Sequence, residues 1–447
     1  MKHKTFLHMA VIALSCGLAL GQQYKVLYSF TGTQAGDGAW PLSSLVLDRA
    51  GNLYGTTWVG GTACSSGYGC GTVFELSPTS GGIWTETVLY DFCSGGSLCP
   101  DGALPTAGLM VDTRGNLYGT TSGDGAYSYG TVFELSPPSS PGAAWTETVL
   151  YSFCANYQNQ TCLDGAIPVS QLTHDTTGNL YGTTSTGGTG GTSGGCCAGG
   201  TVFELSPSAG GWTETVLHNF CAAGGICADG LAPQAGVTFD KLGNLYGTTE
   251  KGGDYRNLGT VYKLAPGSNG WTETVLRTSK QSMASSPLGT VSIDPVGNLY
   301  STFSSLAGQI GGGGVFRLRP NGGGVDFLFS GNGSNGNMPA AGVLIDSKHP
   351  ALYGTTGLGG VNNAGTVFKM VAPAQETVLY SFCSQPSCTD GLGPLASLIE
   401  DASGNLYGTT KLGGANNQGV VFEIVQSLPK QKALQRRPVW HAILPSK

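Results

Sequence analysis

Apolar positions along this chain come in short runs, four to nine residues long, broken by Gly, Pro, Asn or Asp. Leu45-Val46-Leu47, Leu53-Tyr54-Gly55-Thr56-Thr57, Thr72-Val73-Phe74-Glu75-Leu76 and Trp84-Thr85-Glu86-Thr87-Val88-Leu89-Tyr90 follow one another in this way. Val, Thr, Tyr and Phe dominate these runs, as in strands, and no stretch sustains the 3.6-residue stripe of an amphipathic helix. The same four segments then recur. The tyrosine of the second segment falls at Tyr54, Tyr118, Tyr181, Tyr246, Tyr300, Tyr353 and Tyr407, at spacings of 53 to 65 residues. Seven units of four strands predict an all-β fold, a seven-bladed β-propeller with four antiparallel strands per blade, spanning residues 22–426.

The chain ends sharpen this reading. The fourth segment first occurs as Tyr24 to Phe30, ahead of the first unit, while the last unit stops at Val420 to Ile424 with no fourth segment after it. The N-terminal strand is therefore expected to close the last blade and cover its open edge. A β-solenoid or a row of separate sandwiches would leave that shared strand unexplained. The strings GNLYGTT (five verbatim copies), GTVFELSP and WTETVLYSF resemble the Gloeo/Verruco tandem repeat (GloVer) family of bacterial exported proteins, over roughly residues 24–426. The resemblance implies export and supplies no established activity and no catalytic residues.

Composition fits many glycine-turned strands. Of 447 residues, 74 are Gly and only 11% are charged, too few for a helical bundle or coiled coil, and no three-residue glycine period suggests collagen. Lys2 and Lys4 precede an apolar run from Phe6 to Leu20, the plan of a signal peptide over residues 1–21. Cys16 raises a lipoprotein alternative, but Ala13-Leu14-Ser15 fits a lipobox poorly. No later run reaches membrane-spanning length. The expected address is secreted or periplasmic. Residues 427–447 are basic and read as a disordered tail. The two ends hold seven of the 21 basic residues and none of the 27 acids, leaving the ring a net charge of −13, which argues against a nucleic-acid partner.

Without Cys16, twelve cysteines remain. Ten form short-range pairs: Cys64 with Cys70, Cys93 with Cys99, Cys154 with Cys162, Cys221 with Cys227 and Cys383 with Cys388. The other two, Cys196 and Cys197, are adjacent. Zinc spacing is missing, so local disulfides are expected in an oxidising compartment. For Cys196 and Cys197, a vicinal bridge and separate partners both remain open. Each first strand closes on an aspartate: Asp48, Asp112, Asp175, Asp240, Asp294, Asp346 and Asp401. Six of them precede Gly-Asn at a fixed offset, the chemistry of a β-turn; seven copies suit architecture better than a single catalytic site. Blade six departs, with Asp346-Ser347-Lys348-His349-Pro350. A second motif joins cysteines to Asp-Gly, at Asp101, Asp164, Asp229 and Asp390, with Asp37-Gly38 lacking the cysteines. A pinned turn is the plain reading of it and calcium the sharper one, although no loop has EF-hand spacing.

No metalloprotease, Walker or dinucleotide motif is present, and Gly191-Thr192-Ser193-Gly194-Gly195 lacks the helix that a nucleophile elbow needs. Propeller topology puts the cysteine loops and the long glycine-rich hairpins on one face, where binding would be sought. Two functions follow. One is a monomeric binding or surface-interaction module for a glycan, peptide or envelope component, with no cofactor. The other is a propeller hydrolase or lactonase with an axial metal, for which His174, Gln171 and Glu400 are the residues that differ between repeats.

Overall fold

The computed structural model describes residues 22–426, apart from 34–35, 63, 65–68, 95–97, 141, 191–198, 224, 255, 280–284, 306–311, 321, 332 and 372–374. The expected signal peptide, the basic tail and the Cys196-Cys197 pair lie outside the described residues. Seven antiparallel sheets follow one another. The first runs through Val46–Leu47, Leu53–Thr57, Thr72–Pro78 and Trp84–Asp91, paired in that order. Corresponding sets build blades two to six. Blade seven comprises Ile399–Glu400, Leu406–Thr410 and Val420–Val425, and its fourth strand is the N-terminal Gln23–Ser29. Gln23 pairs with Val425 and Ser29 with Val420, so the chain closes on itself as expected. No described helix is long and apolar enough to cross a membrane.

The repeat motif explains the packing. The second strand, Leu-Tyr-Gly-Thr-Thr, is buried along its whole length in blades one, two, four and seven. Its glycine is required by close approach: a Cβ on Gly119 would lie 2.5 Å from Phe133 Cζ, and one on Gly55 2.6 Å from Phe74 Cζ. The first threonine crosses between blades. Thr56 Oγ1 donates to the Ala107 carbonyl of blade two (3.1 Å), and Thr120, Thr183, Thr248, Thr302 and Thr355 reach the next blade in the same way. Thr409 donates to Ser43 O (3.1 Å), completing the circle from blade seven to blade one. The second threonine pairs within its blade, as Thr57 Oγ1 does with Thr72 Oγ1 at 2.9 Å. The phenylalanines that directly follow fourth strands (Phe92, Phe153, Phe220, Phe382) are fully buried and pack edge-on against the third-strand ring of the next blade. The core thus lies between blades, which is why single repeats cannot stand alone.

Candidate functional site

Seven innermost segments leave an axial cavity of about 490 Å³. Its polar lining includes Ser43, Ser170, Gln171, Gln234, Thr290 and Ser397, between small residues such as Ala107, Ala235 and Ala341. Among the described residues that line it there is no carboxylate and no imidazole. Gln171 Nε2 donates to Leu109 O (2.7 Å), bracing blade three against blade two. His174 is exposed, with Nδ1 2.9 Å from the Asp175 carbonyl. Glu400 faces the blade-six turn; burial first, then the Asp346 charge, raise its carboxyl above the ordinary range. These three residues do not converge.

The turn aspartates are held in a common way. Asp48 Oδ1 accepts from the Ala50 and Asn52 amides (2.8 and 2.9 Å), and Oδ2 accepts from Asn52 Nδ2 and the Tyr54 hydroxyl (2.9 and 3.1 Å). Asp112, Asp175, Asp240, Asp294 and Asp401 take the equivalent amide and Asn donations. In blade six, Asp346 accepts from the Lys348 and His349 amides instead. Burial opposes ionisation of Asp112, Asp175 and Asp240, but these hydrogen bonds outweigh it and hold the carboxyls below the usual range. Donors converge on each carboxylate, an arrangement that holds an anion and leaves no oxygen cage for a cation.

On the opposite face, five cysteine pairs are bridged, in the pairing expected from their spacing. Cys64 bonds to Cys70 and Cys93 to Cys99. Cys154 bonds to Cys162, Cys221 to Cys227 and Cys383 to Cys388. Their Cα atoms are 4.0 to 5.5 Å apart. Cys162 is fully buried, whereas Cys227 and Cys388 are partly open to solvent. The carbonyls of Cys162, Cys227 and Cys388 each accept from the glycine amide closing the Asp-Gly turn, Gly165, Gly230 and Gly391, at 2.9 to 3.1 Å. Each of these bridges therefore anchors the turn that follows it. The sulfurs of Cys64, Cys70, Cys93 and Cys99 all lie within 4.8 Å of one another, so two staples sit side by side. Beside the staples, buried aspartates tie each loop to its fourth strand. Asp101 Oδ2 accepts from the Cys93 amide (2.8 Å) and the Tyr90 hydroxyl (2.9 Å). Asp164, Asp390 and the cysteine-free Asp37 accept in the same manner, and His218 Nε2 lies 3.3 Å from Asp229. The fourth-strand tyrosine and the loop amide thus share one oxygen of Asp101, while its Oδ1 is buried without a hydrogen-bond partner.

The residue after each Asp-Gly-x on this face is left-handed, with Trp40, Leu104, Ile167 and Ala232 at φ of 54 to 60° and Gly393 at 67°, and so are Ser286 and Met338 (53 and 55°) at the same position of the two loops that lack the aspartate. These residues form a sevenfold rim, and at one point of it two indoles meet. Trp40 and Trp58 have ring centroids 5.6 Å apart, tilted by 31°. Lys411 Nζ, from blade seven, lies 5.4 Å from the Trp40 ring and 6.0 Å from the Trp58 ring. All three side chains are half-buried. Sequence reasoning missed this cluster. The signal was present: Trp58 stands where other repeats have Ser122, Ser185, Glu250 or Gly357, and Trp40 where they have Leu104 or Ala232.

A family model described as the Gloeobacter/Verrucomicrobia repeat matches residues 17–194 and 191–422. No curated protein matches. Among solved structures, a putative gluconolactonase aligns at 13% identity over 75% of this chain and 89% of its own (TM-score 0.39). A putative 6-phosphogluconolactonase from Bacteroides uniformis aligns at 15% identity over 75% and 83% (TM-score 0.45). PorZ, a surface component of the type-IX secretion system of Porphyromonas gingivalis, aligns at 14% identity over 89% of this chain and 47% of its own (TM-score 0.49).

Proposed function

From the premise that the chain belongs to the Gloeobacter/Verrucomicrobia repeat family, we propose that it is an exported binding module whose stapled face takes a glycan on the Trp40–Trp58 platform. The carrying observation is the symmetry break itself: two adjacent indoles at positions where the other repeats carry no aromatic side chain. Aromatic faces with one convergent polar group suit a ligand of flat apolar face and polar edge, which is the character of a pyranose ring. Lys411 already occupies the cation position over both rings, so a cationic ligand would be repelled and a carboxylated sugar favoured. Local disulfides support export, since such bridges persist in oxidising compartments. The alternative, a propeller hydrolase or lactonase with an axial metal, finds no hard anionic donor set among the described residues lining the axis.

A glycan array followed by calorimetry tests this. An acidic glycan should bind, with Trp40→Ala and Trp58→Ala each weakening it at least about tenfold, or about 1.4 kcal/mol. Lys411→Gln should weaken acidic glycans more than neutral ones. An empty array, or binding indifferent to both tryptophan variants, overturns the assignment.

A further inference from the structure

The indole platform stands at the mouth of the axial cavity. In all seven loops the left-handed rim residue is followed by a proline and then by a residue that lines the cavity, as in Trp40-Pro41-Leu42, Ala232-Pro233-Gln234 and Met338-Pro339-Ala340. The backbone thus reaches the cavity within two residues of the rim, about 7 Å for an extended chain. From there burial alternates. Leu42 and Ser44 are half-buried and Ser43 between them is buried, the period of a strand that turns every second side chain to the axis. The position that follows Gly-Thr-Thr faces the same opening. It holds Trp58 in blade one, Glu250 in blade four, Gly357 in blade six and Lys411 in blade seven. Glu250 Oε2 accepts from Gln234 Nε2 (3.2 Å), and a Cβ on Gly357 would lie 2.6 Å from Leu395 Cδ2. Gln234 and Leu395 both line the cavity, so side chains at this position border its upper ring.

The lining changes with depth. Directly below the rim, Leu42, Val169, Leu288 and Leu395 make a largely aliphatic collar. Two residues deeper along the same strands stand Ser44, Gln171, Thr290 and Ser397. None of these four carries a charge, and each offers a hydroxyl or an amide that both donates and accepts. Part of that capacity is used within the ring. Gln171 Nε2 donates to Leu109 O, Ser397 Oγ donates to Gly342 O (3.1 Å), and Ser44 Oγ accepts from the Ser397 amide (3.1 Å). Each group keeps further donor or acceptor capacity beyond these bonds. A cavity of about 490 Å³ with an apolar collar and neutral polar groups below it has the size and character of a small-ligand site. The charged groups stay at the mouth, with Lys411 beside the indoles and Glu250 three blades on from Trp58, already engaged by Gln234.

We propose that the glycan is bound end-on. A neutral terminal sugar passes the aliphatic collar to the hydroxyl and amide ring, and the next, carboxylated sugar lies on Trp40 and Trp58 beside Lys411. The inference rests on the glycan reading above and narrows it from a glycan surface to a chain end, because an internal stretch crossing the face does not descend between the inner strands. Hyaluronan, in which a neutral N-acetylhexosamine alternates with a glucuronate, supplies probes of one chemistry and different length. The full mature chain is titrated by calorimetry with a hyaluronan tetrasaccharide and with a long hyaluronan polymer. Both should bind saturably with one protein per glycan molecule, since every linear chain has one end of each kind. Ala340→Trp, which fills the upper ring, should weaken tetrasaccharide binding at least about tenfold, and Thr290→Val, in the deeper ring, at least about threefold. Circular dichroism melts show whether each variant is folded, and the two lie at different depths, so misfolding of one leaves the other informative. Protein bound per polymer that rises with polymer length, or binding that both variants leave unchanged, overturns end-on entry. If Trp58→Ala still weakens binding in that case, the platform reading stands without it. No saturable binding of either probe also overturns the proposal, whereas the glycan reading itself falls only with an empty array or with indifference to the tryptophan variants.

Discussion

At the scale of single residues, the repeat consists of positions that tolerate little else. The glycine of Gly-Thr-Thr lets a third-strand ring lie against backbone, and a Cβ at Gly119 would meet Phe133 Cζ at 2.5 Å and Leu109 Cδ2 at 3.0 Å, both on fully buried side chains. Gly119→Ala should therefore destabilise the ring by about 1–3 kcal/mol, the usual cost of overpacking. Blade five already carries Ser301 at this position, with its hydroxyl donating to Gly289 O at 2.7 Å. There the reverse change, Ser301→Gly, should cost only the lost hydrogen bond and added chain entropy, about 1–2 kcal/mol. Denaturant melts of both variants check the contrast, and a neutral Gly119→Ala would show that Phe133 moves aside freely. The first threonine works differently, because its effect is felt between blades. Its hydroxyl is the bond that crosses to the next blade in all seven, so Thr409→Val removes the one joining the last blade to the first, at about 1 kcal/mol.

At the scale of elements, the N-terminal strand carries the ring closure. Gln23–Ser29 supplies the fourth strand of blade seven, and Tyr24 stacks on Tyr380 with centroids 3.8 Å apart and planes within 7°. The Lys25–Glu423 ion pair on this strand is largely exposed at the lysine and adds little. Deleting residues 22–31 removes the strand, exposes the Val420–Val425 edge, and should lower the melting temperature of the whole ring rather than of one blade; an unchanged melting point would falsify closure by this strand. The strand order, the closure and the cysteine bridges were legible in the sequence because each repeats, and repetition at fixed offsets converts directly into blades and loops. Other features were not legible. The stacking of Trp40 on Trp58 depends on two loops meeting, and a cavity walled by Tyr300, Leu352 and Met370 opens between blades five and six, one of three interfaces at which the fourth-strand tryptophan is absent. Both are departures from the repeat, and a departure acquires meaning only once the neighbours across a blade interface are known. Gln171, His174 and Glu400 were conspicuous in sequence for the same reason, yet the fold separates them.

At the scale of the whole molecule, the interfaces carry a repeated acid pair. Burial, aided by the Asp37 charge, pushes the Glu86 carboxyl up to about 8, and Glu214 rises likewise to about 8 beside Asp164. Glu147 reaches about 7 beside Asp101. Glu273 also reaches about 7 through burial, with His218 opposing and Asp229 assisting. One oxygen of each of these glutamates is buried without a hydrogen-bond partner, as is Asp101 Oδ1, so burial favours the neutral, protonated glutamate. The other interfaces vary together in a way that supports this. Where the loop carries Asn335 in place of the aspartate, its amide donates to Glu376 Oε2 at 2.6 Å. Where residues 279–290 contain no acid, the glutamate position is Val325. Where the ring closes, Tyr24 takes the glutamate's place and donates to the Asp390 carbonyl. Since the folded ring holds protons that the unfolded chain releases near pH 4.5, these glutamates stabilise fully below that value, and their contribution is lost as pH rises through about 7 to 8. The turn aspartates Asp112, Asp175, Asp240 and Asp346 act with the opposite sign, stabilising above the ordinary aspartate range and losing their contribution in stronger acid. The melting temperature should therefore peak between about pH 4 and 6 and decline toward pH 8.5. Glu86→Gln, Glu147→Gln and Glu214→Gln combined should flatten the alkaline limb, since an amide donates without titrating. A limb that keeps its slope in the triple variant would mean that other groups set the alkaline stability of the ring.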